Sequence, residues 1–269
     1  MDTLVYRYKT LLMQRLIDWV SRGYCWYAEG TVKASRAYAL CEKFDALYFT
    51  GAVRNQRFYR KQNGKGNAAL LLADIEQNGT LHWWLLVTDG VHPAHQSESL
   101  LDVRDRANRI RLTGYELLQL TNDKRNGGKV RWTWRMIDET FDAWQARIRA
   151  VSRGRAPLEE MPSVIRELYR SPGFHGNRTQ VSKLTRYLRY EWERAGRRSD
   201  ELAIPSAIHY VKRLADEDFT IRHWLAANYP DLVPAPAAPR STRARRAASA
   251  PQPSLFPESP EQPAEITGA

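Results

Sequence analysis

The chain has 269 residues, with 41 Lys+Arg against 30 Asp+Glu, a formal charge of +11, 43% hydrophobic residues and two cysteines, Cys25 and Cys41. That length and apolar fraction allow one large domain or two small ones with true cores, while two cysteines exclude a disulfide framework or a cysteine-based zinc site. No stretch approaches 18 consecutive apolar residues, so neither a membrane span nor a secretory signal is expected; a cytoplasmic protein with a polyanionic partner, nucleic acid first, is the expectation.

Leu4, Tyr8, Leu12, Leu16 and Val20 recur every three to four residues, which predicts a first helix over Thr3 to Ser21, ended by Gly23. A short strand and turn follow in YCWYAEGTVKA, then a helix from Ser35 to Tyr48 with Tyr38, Leu40, Cys41, Phe44 and Leu47 on its apolar side. RNQRFYRKQNGKG reads as a basic loop. In it Arg54, Arg57, Arg60, Lys61 and Lys65 supply charge, Phe58 and Tyr59 supply stacking faces, and Gly64 and Gly66 let the backbone approach phosphate.

Two strands come next, in NAALLLADI and GTLHWWLLVTDG, the second apolar on nearly both faces and therefore central. The TDGVHPAHQSE segment sets Asp89, His92, His95 and Glu98 close together after it, with His82 on the strand itself. Such residues can hold a divalent metal for phosphodiester cleavage. Their spacing fits no established ligand set, so a polar loop is expected, with no metal and no cofactor. No GxxxxGK[ST] loop is present either, which argues against ATP-driven unwinding.

YELLQLTNDKRNGGKVRWTWRM is a hairpin, its Asn and Gly residues supplying positive-φ positions at the reversal. The alternation predicts Val130, Trp132, Trp134 and Met136 on a core face, and Arg131, Thr133 and Arg135 on an outer one. With Lys124, Arg125 and Lys129 at the tip, the outer face is cationic and resembles the wing of a winged-helix domain.

The rest reads as helices. Asp138 caps a helix carrying Phe141, Trp144, Ile148 and Val151, closed by Gly154, and a shorter helix covers Leu158 to Tyr169. Asn177 and Gln180 have capping-box spacing ahead of a stripe of Val181, Leu184, Leu188 and Trp192. This suggests a helix-turn-helix, with Arg178 and Gln180 toward base edges and Lys183, Arg186 and Arg194 on the polar side. Trp83, Trp132, Trp134, Trp144 and Trp192 fall on core faces and read as packing. The expected fold class is α+β: an α+β domain over 1–136, a helical domain over 137–229 and a tail over 230–269.

The tail is rich in Pro, Ala and Ser and lacks periodicity, the composition of a disordered segment. Arg240, Arg243, Arg245 and Arg246 balance Asp231, Glu258, Glu261 and Glu265, four against four, so the whole +11 belongs to residues 1–229. Within it Gln252-Pro253-Ser254-Leu255-Phe256 offers two adjacent bulky side chains with no core to join. QPSLF resembles the Gln-Leu-Ser/Asp-Leu-Phe peptide with which bacterial replication and repair proteins, and some plasmid replication initiators, bind the polymerase sliding clamp; Pro253 is its departure from that pattern. The resemblance implies clamp binding through Gln252, Ser254, Leu255 and Phe256. Together with the basic body it suggests an adaptor of a bacterial plasmid or mobile element that binds DNA and recruits the clamp. The alternative is a nuclease, either a metal-independent RNA-processing enzyme of the CRISPR type or a metal-dependent one using the 89–98 loop.

Overall fold

A computed structural model describes residues 3–121, 130–216 and 219–234. The hairpin tip with Lys124, Arg125 and Lys129, and the tail with its QPSLF peptide, lie outside the described residues. The fold is α+β, as expected.

The first sheet holds strands β1 (Val5–Tyr6), β2 (Trp26–Lys33), β3 (Ala68–Ala73), β4 (Thr80–Val87) and β5 (Leu101–Asp102) in the order β1-β3-β4-β2-β5. All neighbours are antiparallel except β1 with β3. β4 is central, because its side chains are wanted on both faces. Leu81, Leu85 and Val87 join helix α2 (Ala34–Tyr48), while Trp84 and Leu86 join helix α1 (Lys9–Ser21) on the other side. The expected first helix therefore starts later than its periodicity suggests. Val5 and Tyr6 pair with Leu72 and Ala73, and a tertiary ladder overrides the amphipathic pattern there.

The second sheet is β6 (Arg111–Leu112), β7 (Tyr115–Thr121) and β8 (Val130–Met136), with the hairpin register running from Tyr115↔Met136 to Thr121↔Val130. Trp134 and Met136 are fully buried on the core side, and the Trp134 indole donates to the Met13 carbonyl of α1 at 2.9 Å. Helices α5 (Asp138–Ser152), α6 (Met161–Tyr169) and α7 (His175–Arg194) complete the same core. Asp138 lies in the first turn of α5, with Ile137 as the N-cap residue.

The division expected at 136/137 does not hold, since residues 1–233 form one compact unit. One core cluster runs from Leu12 and Trp84 through Leu117 and Trp134 to Leu184 and Trp192. Helix α8 (Ile221–Asn228) returns to the first sheet, where Ile221, Trp224 and Leu225 pack with Ala37, Cys41 and Leu72. The Trp224 indole also donates to the Asp74 carboxylate at 2.8 Å. Ahead of α8, residues 205–216 form an extended strap. Gln14 donates to Lys212 O and accepts from Leu214 N, Arg15 donates to Leu214 O and pairs with Asp216, and Val211 N donates to Gly173 O. Glycine is required at 173, because a Cβ there would lie 2.0 Å from the His209 carbonyl oxygen.

Candidate nucleic-acid interface

The expected basic loop is a helix, α3 (Arg54–Gln62). Arg, Gln and Lys are good helix formers, the Gln56 side chain accepts the Val53 N–H at 3.0 Å, and Arg60 and Lys61 in the last turn complement the helix dipole. Gly64, at φ +67°, allows the chain to turn away. No α3 side chain is buried, so apolar packing does not hold this helix in place.

Two guanidinium groups do. Arg57 donates to Ala52 O (2.7 Å) and Thr50 O (2.9 Å) and lies over the Trp19 ring at 4.8 Å. Arg60 donates to Gly66 O (2.9 Å) and lies over Phe49 at 4.8 Å. Arg57 and Arg60 are thus struts rather than free cations. Arg54, Lys61 and Lys65 stay exposed beside Phe58 and Tyr59, which are 57% and 65% exposed with ring centroids 5.7 Å apart. Gly66 does not face solvent: a Cβ there would meet the His92 Cβ at 2.9 Å.

The hairpin and α7 redistribute their expected cations. Arg131 is exposed, whereas Arg135 pairs with the buried Glu116 at 2.5 Å, a carboxylate that Arg109 also reaches at 2.9 Å. The face shared by Thr133 and Arg135 is not an open cationic surface. The Gly176 amide of α7 donates to Thr133 Oγ1 at 3.1 Å, and a Cβ on Gly176 would lie 2.8 Å from the Trp134 carbonyl oxygen.

Gln180 does not face bases. Its amide accepts from Met136 N at 2.6 Å and donates to Met136 O at 3.0 Å, serving the free edge of β8 as another strand would. Arg178 donates from Nε to Ile208 O at 2.7 Å and lies over the Tyr210 ring at 3.6 Å. Asn177 is buried and donates to Pro172 O. The expected base-reading end of α7 is therefore seated on β8 and the strap. Lys183 and Arg186 are exposed, as is Arg189, one turn beyond Arg186.

The 89–98 segment, with its one-turn helix α4 (Ala94–Ser97), is committed to structure. Asp89 accepts from the Trp26 indole at 2.7 Å and from Arg104, and the two hold its carboxyl below its ordinary pKa. His92 is buried. Its Nδ1 accepts from Ala94 N, so Nε2 carries the hydrogen and donates to Tyr48 O, and burial holds the ring's pKa below its usual value. His95 contacts Thr88 O at 3.0 Å, and Glu98 accepts from the Tyr48 hydroxyl at 2.6 Å. Among the described residues no group of three or more His, Cys, Asp and Glu is disposed to hold a metal.

A cleft of about 370 Å³ opens between the sheets over Glu29, His82 and Trp84, walled by Glu76 and Arg111. Burial raises the pKa of Glu29 despite a 2.6 Å hydrogen bond from the Trp84 indole, and His82 lies 3.5 Å from Glu76. Two carboxyl groups against one arginine give this cleft the wrong sign for a phosphate. A second recess, of about 240 Å³, lies between α7 and the strap and contains Arg178, Arg186 and Arg189 with no acidic side chain in its lining. Sequence reading missed Arg189 and this recess. The helical spacing of 178, 182, 186 and 189 was legible, but the strap that closes over it was not.

No helix among the described residues is long and apolar enough to cross a membrane. Compared with protein-family models, curated proteins and solved structures, the chain matches none.

Proposed function

We propose that the folded body binds nucleic acid and that the QPSLF peptide recruits the polymerase sliding clamp, making the protein an adaptor between a DNA site and the replication machinery of a bacterial plasmid or mobile element. The observation that supports the first half is α3, a helix with no buried side chain that presents Phe58 and Tyr59 between Arg54, Lys61 and Lys65. A protein stabilised only by its core gains nothing from leaving two aromatic rings in water. Exposed rings among cations suit an unpaired strand, because every base offers a π-face and every phosphate a charge. The clamp half is supported by the peptide alone.

Filter binding across a salt series against duplex DNA, single-stranded DNA and RNA tests the body. Affinity falls linearly on a log-log plot as counterions are released, and Phe58→Ala with Tyr59→Ala weakens single strands most. Indifference to all three polymers in dilute buffer overturns the reading. For the tail, Leu255→Ala with Phe256→Ala abolishes clamp capture while leaving nucleic-acid affinity unchanged; capture that survives the double change refutes the motif.

A further inference from the structure

The described arginines differ in what holds them: Arg57, Arg60 and Arg178 donate to backbone carbonyls, and others form ion pairs. Arg15, Arg104, Arg109, Arg135, Arg147, Arg153, Arg198 and Arg213 all have a carboxylate within ion-pair distance. Arg186 and Arg189 have neither an ion pair nor a hydrogen bond among the described residues. They sit three positions apart on α7, a spacing at which like charges repel. Both line the recess under the strap, together with Arg178, Ser182, Thr185 and Ser206.

We infer that this recess is a phosphate site, and that its ligand is the terminal phosphate of a nucleic-acid strand; the second clause rests on the nucleic-acid reading above. The chemistry of the lining argues for phosphate. Guanidinium groups present planar donor forks that match phosphate oxygens, and serine hydroxyls add neutral donors. Arg178 is preset, since the Ile208 carbonyl and the Tyr210 ring fix its plane before any ligand arrives. Thr185 is already committed, donating to Val181 O and meeting the Tyr169 hydroxyl at 3.1 Å. Ser182 and Ser206 are the hydroxyls left for a ligand.

Charge and shape favour a strand end over an internal linkage. A terminal monoester carries close to two negative charges and three acceptor oxygens, against one charge on an internal diester. Three arginines with no acidic side chain beside them suit the former. A recess of about 240 Å³ closed on one side by Pro205–Ile208 admits a phosphate and its terminal sugar, whereas a continuous backbone needs a channel open at both ends. The exposed rings of α3 need no such end. The two surfaces therefore divide the labour between strand and terminus.

The experiment compares the full chain's affinity for one short single-stranded DNA made with a 5′-phosphate, with a 3′-phosphate, or with neither. One phosphorylated form binds about tenfold more tightly than the unphosphorylated strand, the scale of a charge-assisted hydrogen-bond set. Arg186→Gln with Arg189→Gln removes that difference, while Lys183→Gln, outside the recess on the same helix, weakens all three strands alike. Equal affinity for all three strands overturns the terminal-phosphate site and leaves the nucleic-acid reading standing. No binding to any strand overturns the nucleic-acid reading. Thermal stabilisation by inorganic phosphate that vanishes in the double variant would then reassign the recess to a small phosphorylated molecule, overturning the strand-end assignment.

Discussion

Helices α3 and α7 both carry residues that sequence marks as cationic, and the protein holds them by opposite means. α7 buries Val181, Leu184, Leu188 and Trp192 in the main core, where each side chain contributes on the order of 1.5–3 kcal/mol. α3 buries nothing and hangs from the carbonyls of Thr50, Ala52 and Gly66 through Arg57 and Arg60. A guanidinium with backbone carbonyls in reach is a strut; one facing open space is free for a ligand. On α3 the struts keep Phe58 and Tyr59 in solvent. On α7 the core sets the helix, and Arg186 and Arg189 make no hydrogen bond or ion pair among the described residues.

Five changes bear on that comparison, beginning with the largest. Gly173→Ala drives a Cβ into the His209 carbonyl and displaces the strap, lowering stability by roughly 2–3 kcal/mol in urea denaturation. Loss of the strap also opens the α7 recess, so any preference for a phosphorylated strand disappears with it. Gln180→Ala strips the side-chain partner from Met136 N and O at the edge of β8 and costs about 2 kcal/mol, with nucleic-acid affinity changed less than about twofold. A large affinity loss without a stability loss would return Gln180 to a base-reading role.

On α3 the comparison sharpens into a pair. Arg57→Ala removes a strut and costs about 1–2 kcal/mol of stability, freeing the helix from Thr50 and Ala52. Phe58→Ala with Tyr59→Ala leaves stability within about 0.5 kcal/mol, yet lowers single-strand affinity by about 1 kcal/mol or more for each ring that stacks on a base. Thermal melts and strand binding on the same preparations separate the two outcomes. If both variants behave alike, α3 is not divided between struts and contacts.

The smallest effect concerns pH. Burial holds the folded His92 below the ordinary imidazole pKa of about 6.5. In that range the unfolded chain takes a proton that the folded one refuses, so stability declines as pH falls from about 6.5 toward the folded value. Replacement by Gln, which keeps a donor for Tyr48 O, flattens that slope when urea midpoints are followed between neutral and mildly acidic pH. A slope unchanged by the substitution would mean that His92 takes up its proton equally in the folded and unfolded chain, overturning the lowered pKa.

Several features followed from the sequence alone, because they depend on local periodicity and on chemistry within a few residues. The two-sided apolarity of β4, the pairing of β7 with β8, the helices ending at Ser21, Tyr48 and Ser152, and the core stripe of α7 are of this kind. So is the α+β class. What tertiary structure decided was every matter of partners. Val5 and Tyr6 became a strand because Leu72 and Ala73 lay alongside them. The RNQRFYRKQ segment became a helix on carbonyls from two neighbouring loops, and α8 crossed back to the first sheet to merge two expected domains into one unit. An arginine's role has no local signature: its long side chain reaches acceptors anywhere within several ångströms, so only the folded chain sorts struts such as Arg57, Arg60 and Arg135 from exposed cations such as Lys61, Arg186 and Arg189.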